Sequence, residues 1–147
     1  MNDNFHLENS HVIPALIKKI LTAKKEKSDV VEVWGTGKPK REFLFVDDMA
    51  SACIYLMNLD KTIYDTHTKQ MCSHVNVGSG SDLTIKELKE IIKEVVGYKG
   101  QIKFDTTKPD GTARKFIDSK LLNSLGFKAR VGLKDGLVKT YNDFTNK

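Results

Sequence analysis

Cysteine is scarce in this sequence: Cys53 and Cys72 are the two among 147 residues. Two thiols cannot build a disulfide framework. Neither they nor His6, His11, His67 and His74 have the spacing of a zinc site, so no metal is expected. Both thiols suit a reducing compartment, and a cytoplasmic protein is expected, with Cys53 among the core residues of a helix. No apolar run approaches the ~20 residues that a membrane-spanning helix needs. The first ten residues are polar and carry no hydrophobic core of leader type, so neither a membrane span nor a signal peptide is expected. Internal repeats and low-complexity segments are missing. The formal charge of +5 is spread along the chain with glutamates interleaved among the lysines, which does not indicate nucleic-acid binding. Several catalytic signatures are missing too. There is no Walker A sequence, and Tyr55, Tyr64, Tyr98 and Tyr141 all lack a lysine four residues later. Gly78-x-Gly80 precedes a helical pattern, but Leu83 stands where the third glycine of a dinucleotide fingerprint falls, and a plain strand-to-helix turn explains it better.

What remains is an ordinary globular composition, 39% hydrophobic and 29% charged, long enough for a real core. Val12, Ile13, Leu16, Ile17, Ile20 and Leu21 repeat at helical spacing, with Asn9 or Ser10 as cap and Pro14 in the first turn. Val30–Trp34 and Phe43–Val46 predict two short strands around a polar turn. Asp47 or Asp48 should cap a second helix with Met49, Ala50, Cys53, Ile54 and Met57 on one face. Residues 60–72 read as a mobile loop, and His74–Val77 as a strand ending at Gly78-Ser79-Gly80. Thr84 and Glu87 form a capping box for a third helix, whose buried stripe runs from Ile85 to Val96 and which Gly97 closes. Gln101–Phe104 predicts another strand. Asp118 or Ser119 starts a short helix closed by Gly126, and a last helix begins near Leu133. Short strands alternating with helices argue α/β. So few and such short strands make the chain look like part of a larger arrangement.

Two basic groups could carry chemistry: Lys38/Lys40/Arg41 beside Trp34-Gly35-Thr36-Gly37, and Lys108/Arg114/Lys115 beside Pro109-Asp110-Gly111. If the two turns converge they can clamp a diphosphate; if they do not, these are solvated surface charges, or a polar hairpin tip. Asp47-Asp48 reads as a helix start with dipole complementarity rather than as an acid/base pair. His11 lies at a helix N-terminus, where it either serves structure or transfers protons.

The residues Asn4-Phe5-His6, Asn9-Ser10-His11-Val12-Ile13-Pro14-Ala15-Leu16, Val33-Trp34-Gly35-Thr36-Gly37, Arg41-Glu42-Phe43-Leu44 and Val46-Asp47-Asp48-Met49 closely resemble the GDP-L-fucose synthase family. So do Ser73–Gly78, Val95–Gly100 and Lys108-Pro109-Asp110-Gly111-Thr112-Ala113-Arg114-Lys115. The family is one of extended short-chain dehydrogenase/reductases. The resemblance implies that residues 1–147 are a C-terminal, nucleotide-sugar-binding portion, with the NADPH-binding Rossmann half, a partner in the complete enzyme, absent from this chain. It implies 3,5-epimerisation and NADPH-dependent 4-keto reduction of GDP-4-keto-6-deoxy-mannose by the full-length enzyme, a homodimer, and an inactive fragment. It further implies that His11 is the general acid, and that Lys19, Trp34, Arg41 and Lys115 contact the GDP-sugar. Residues that bind the cofactor are not identified. Lys19 replaces a residue that is often arginine, keeping charge but losing the bidentate fork. Phe45 and Leu7 depart from the family pattern, so a GDP-heptose or other nucleotide-sugar epimerase/reductase is an alternative. A non-catalytic partner chain of a split enzyme is another.

Overall fold

The computed structural model describes residues 4–5 and 10–146. The predicted Asn9 cap, together with His6 and Leu7, lies outside them. The chain forms six helices and five strands among the described residues, α1 (Val12–Lys25), β1 (Val30–Trp34), β2 (Lys40–Glu42), α2 (Val46–Met57), α3 (Lys61–His67), β3 (Asp82–Thr84), α4 (Ile85–Val96), β4 (Gln101–Asp105), β5 (Arg114–Lys115), α5 (Lys120–Ser124) and α6 (Leu133–Thr145). It divides into two compact units. Met1–Lys40, Leu83–Arg114 and Lys134–Lys147 make the first; Arg41–Asp82 and Lys115–Leu133 make the second.

The first unit is built on a parallel pair, β1 beside β4, with Val30 opposite Gln101 and Trp34 opposite Asp105. Helix α1 packs on α4 and on β1. Ile17, Ile20, Leu88, Ile92 and Val96 are almost wholly buried, joined by Val31 and Val33 from the strand. The apolar spacing of both helices produces this core. The α4 boundaries fall where the sequence puts them. Thr84 and Glu87 exchange the two bonds of a capping box, and Gly97 ends the helix in the left-handed conformation at φ 69°. Lys24 Nζ donates to the Val96 carbonyl at 2.6 Å, placing a cation at the negative end of the α4 dipole. At α1, His11 occupies the N-cap position and makes no side-chain capping bond. Ser10 does not supply one either: its Oγ is buried without a partner.

The predicted hairpin is not formed. β1 pairs with β4, whereas β2 lies between β3 and β5 in a separate three-stranded sheet. β2 ends at Glu42, and Phe43–Phe45 lead into α2 without joining a strand.

The second unit departs most from the sequence reading. Residues 60–72 are not all loop. Asp60 accepts from the Thr62 N–H at 2.8 Å and from the Thr62 hydroxyl, starting α3. His74–Val77 form no strand among the described residues, because a period-2 apolar pattern makes a strand only where a neighbour supplies ladder bonds. Phe45, not an aspartate, holds the N-cap position of α2, which puts Asp47 and Asp48 in its first turn. Asp48 is only 3% exposed, and its carboxylate accepts from the N–H groups of Arg130 (3.1 Å) and Val131 (2.8 Å). It anchors a distant loop rather than capping its own helix. The apolar stripe of α2 is real but faces outward. Val46 is 53% exposed, Ile54 59% and Met57 82%, and Cys53 is exposed rather than core. Ala52 and Leu122 are fully buried in this unit, and Tyr55 donates to the Leu125 carbonyl at 2.5 Å.

Candidate functional site

In the first unit the two Gly-rich turns do converge. The Thr36 N–H donates to Asp110 Oδ1 at 2.8 Å and the Thr36 hydroxyl to Oδ2 at 2.6 Å. Gly35 N–H donates to the Asp105 carbonyl at 2.9 Å and Lys40 N–H to the Ala113 carbonyl at 2.8 Å. These bonds require close backbone approach. A Cβ on Gly35, whose φ is 85°, would stand 2.3 Å from Asp110 Oδ1, and one on Gly37, at φ 74°, would stand 2.4 Å from the Phe104 ring. Both positions therefore need glycine. The Thr36 hydroxyl, then its N–H, holds the Asp110 carboxyl below its ordinary pKa. Asp105 is shifted the same way by the hydroxyl and then the N–H of Thr107. Hydrogen bonds to a carboxylate favour its charged form.

The result is an aromatic ring framed by cations. Trp34 at the end of β1 is 66% exposed. Lys19 Nζ from α1 stands 5.5 Å from its ring centroid, and Lys108 Nζ from the second turn stands 5.6 Å away. Both distances are within cation–π range. Such a surface can stack a flat ring while its ammonium groups meet a nearby anion. Of the predicted residues in this unit, Lys19 and Trp34 meet directly. His11 begins the same helix as Lys19, about 12 Å earlier along its axis at 1.5 Å per residue, and is exposed.

In the second unit, Arg41 lies on β2 and Lys115 on the adjacent β5. Arg41 is half-buried and Lys115 exposed. Between them in function stands a residue that sequence reasoning passed over. Glu42 accepts from the Gly80 N–H at 2.8 Å and the Ser79 hydroxyl at 3.3 Å through Oε1, and from the Ile117 N–H at 2.8 Å through Oε2. A Cβ on Gly78 would lie 2.7 Å from the same carboxylate. The Gly78-Ser79-Gly80 turn is thus filled by an acidic group and does not fit a dinucleotide diphosphate, which that charge would repel. Asp110, Thr36 and Glu42 were missed as site residues, and Lys108 was named only as one of a basic group that could clamp a diphosphate. All four fall inside the motifs that carry the family resemblance, and that was the available signal. Among the described residues, no group of three or more His, Cys, Asp or Glu is placed to hold a metal ion, and no helix is long and apolar enough to cross a membrane.

A helix-flanked parallel strand pair, with lysines gathered over an exposed tryptophan at its C-terminal end, defines an α/β protein whose polar groups cluster beyond its strands. The chain belongs to the NAD dependent epimerase/dehydratase family, which matches residues 2–78. It is 51% identical over 141 residues to GDP-L-fucose synthase 1 of Arabidopsis thaliana, covering 96% of this chain and 41% of that protein. To the GDP-L-fucose synthase of Escherichia coli it is 50% identical over 143 residues, covering 97% of this chain and 44% of that protein. The chain therefore spans about two-fifths of the length of the curated relatives it matches. Among solved structures it superposes with a TM-score of 0.81 and 31% identity on a GDP-mannoheptose C4 reductase from Campylobacter jejuni with NADP bound, covering 98% of this chain and 49% of that one.

Proposed function

We propose that residues 1–147 are the nucleotide-sugar-binding portion of a GDP-L-fucose synthase-like, NADP-dependent epimerase/reductase. The observation that carries this reading is Trp34 with Lys19 and Lys108 over its ring, in a chain half identical to GDP-L-fucose synthases. In this reading Lys19 and Trp34 are nucleotide-sugar contacts carried by the first unit, and Arg41 on β2 and Lys115 on β5 are GDP contacts carried by the second. Arginine offers a two-pronged donor to phosphate and lysine a point charge. A 4-keto sugar has acidified C–H bonds at C3 and C5. Inversion passes the C–H proton to a base held outside these residues, and His11 donates a proton to the opposite face. The hydride for reduction comes from NADPH held outside these residues, in a homodimeric complete enzyme. Neither a Tyr-x-x-x-Lys pair nor a complete glycine fingerprint occurs in this sequence, so the isolated chain binds without turning over.

Calorimetric titration with GDP tests this. Arg41→Ala and Lys115→Ala should each weaken binding by about 1.5–3 kcal/mol, the worth of a charge-assisted contact. Equal affinities for the wild type and both variants would remove these residues from the site. Competition by UDP or dTDP equal to that of GDP would move the substrate to another nucleotide sugar, and a GDP-heptose is compatible with the same contacts.

The outward stripe of α2 favours a second, compatible reading, in which this chain pairs with a separate Rossmann polypeptide. Val46, Met49, Ile54 and Met57 are all exposed apolar residues of α2, and exposed apolar surface gathered on one element marks an interaction surface. Wild-type chain should bind the apolar dye ANS and self-associate on size exclusion, and Met57→Glu should reduce both. A wild-type monomer that leaves the dye unbound would count against a large unpaired interface.

A further inference from the structure

In the second unit, away from both basic turns, a nucleophile has a base beside it. Cys72 is exposed, and its Sγ lies 4.0 Å from His74 Nδ1. That is within reach of a thiol S–H, and an imidazole with its own proton on Nε2 accepts there. The backbone that carries the pair is tied on both sides. Lys69 and Cys72 form an isolated antiparallel bridge, Cys72 N–H donating to the Lys69 carbonyl at 2.8 Å and Lys69 N–H to the Cys72 carbonyl at 3.3 Å. The Tyr64 hydroxyl, from α3, donates to the carbonyl of Ser73, the residue between thiol and imidazole. The bridge also sets a charge. Residues opposite each other in an antiparallel pair share a face, with Cα atoms about 5.5 Å apart, so the Lys69 side chain starts from the same face as the thiol. Met71 at the tip of this turn is 97% exposed. The turn points into solvent, where a small molecule can approach the sulfur.

We infer that Cys72 is a site of covalent modification by small-molecule disulfides, with His74 as its base and Lys69 as the cation that draws an anionic disulfide to it. A thiol with an adjacent imidazole is an activated nucleophile, and the reaction is thiol–disulfide exchange. His74 takes the thiol proton as the Cys72 sulfur attacks one sulfur of the disulfide. The S–S bond of the reagent breaks, and a new S–S bond joins Cys72 to the attacked half. The other half leaves as a thiolate and recovers the proton from His74. The cysteine is oxidised and the departing half reduced, so the disulfide is the oxidant and no other is needed. Nothing in this step draws on the nucleotide-sugar reading.

The 147-residue chain carries its own reference, because Cys53 is the other thiol and is also exposed. Cys53→Ser leaves Cys72, and Cys72→Ser leaves Cys53. Each is treated at neutral pH with oxidised glutathione, which is anionic, and with the neutral disulfide of mercaptoethanol, and the mixed disulfide is followed by intact mass. Cys72 should react about tenfold faster than Cys53 with both reagents, since an unassisted thiol is only a few per cent thiolate at neutral pH. His74→Gln should bring Cys72 down to the Cys53 rate. Lys69→Gln should slow oxidised glutathione about threefold more than the neutral reagent, since local cations concentrate anions. Tyr64→Phe, which releases the Ser73 carbonyl with the histidine still present, should slow Cys72 and leave Cys53 unchanged. His74→Gln made together with Cys72→Ser should also leave the Cys53 rate unchanged, which separates loss of the base from loss of the fold. Equal rates for the two thiols, or a fast Cys72 that His74→Gln does not slow, would overturn the inference. A Lys69→Gln variant that slows both reagents equally would remove the steering role of the lysine.

Discussion

Gly37→Val should cost about 2–5 kcal/mol of stability, the sum of two separable penalties. The backbone at Gly37 has a φ of 74°, in the left-handed region where a β-branched residue loses about 1–2 kcal/mol. The new Cβ would also meet three atoms of the Phe104 ring at 2.4, 2.7 and 2.9 Å, and overpacking of that kind costs about 1–3 kcal/mol. The ring cannot retreat freely. It is carried on β4, one residue before Asp105, whose carbonyl binds Gly35, and Lys89 Nζ stands 5.7 Å from its centroid. The Gly37 carbonyl also accepts from the Lys86 N–H at 2.9 Å, so displacing the turn disturbs the first turn of α4. Gly80 provides the internal control. Its φ is 78°, yet a Cβ there would meet nothing within 4 Å, so Gly80→Val should lose only the backbone part. Urea unfolding of the two variants separates strain from collision. Equal losses would mean that the Phe104 contact contributes nothing. In a double-mutant cycle, Phe104→Leu should return part of the Gly37→Val loss, because residues in contact are coupled.

Glu42→Ala should cost about 2–4 kcal/mol, because one carboxylate serves donors from two segments distant in sequence. Removing it strands the N–H groups of Gly80 and Ile117 and the Ser79 hydroxyl; each orphaned donor costs about 1–3 kcal/mol when shielded from water and less where water reaches it. Glu42→Gln should not restore the loss. A carboxylate accepts on both oxygens, whereas an amide turns an NH2 toward one of the two N–H groups. The substitution also has a functional reading. Glu42 adjoins Arg41, and Ile117 is two residues beyond Lys115, so both side chains that the proposed function assigns to GDP adjoin this tie. GDP affinity in Glu42→Ala should fall as far as in Arg41→Ala. Wild-type stability in Glu42→Ala would show that water replaces the carboxylate at no cost.

Helices of the first unit were legible in the sequence because their signals are local. The apolar spacing of α1, the Thr84–Glu87 box and Gly97 are each complete within a few residues. The convergence of the two turns was visible only as a possibility, since Thr36 and Asp110 are far apart in sequence and nothing local announces their bond. The second unit misled for a related reason. The stripe on α2 was read as core because periodicity reports that a face is apolar, not what covers it. His74–Val77 has a strand pattern, but a strand is made by its neighbour. Asp48 was read as a cap because caps are the commonest use of an aspartate at a helix start, whereas its partners lie at Arg130 and Val131. Residue roles came from motif resemblance, and the structure adds the physical reason why Gly35, Gly37 and Gly78 accompany Asp110, Phe104 and Glu42.

The β1–β4 pairing has a consequence for how the chain acquires its structure. Tyr98 donates to the carbonyl of Ser28 across seventy residues, and the parallel register begins beside it with Val30 opposite Gln101. Closing a loop of that length costs about 4 kcal/mol of chain entropy before any ladder bond forms, though doubling it would add only about 0.6. Local segments such as α1 and α4 can form early, while the ladder waits for closure, which is the slow step in topologies dominated by distant contacts. The residues that gather around Trp34 come from both sides of that closure. The lysine-framed ring is therefore assembled last, and lengthening the surface segment near Lys69–Cys72 should barely delay it.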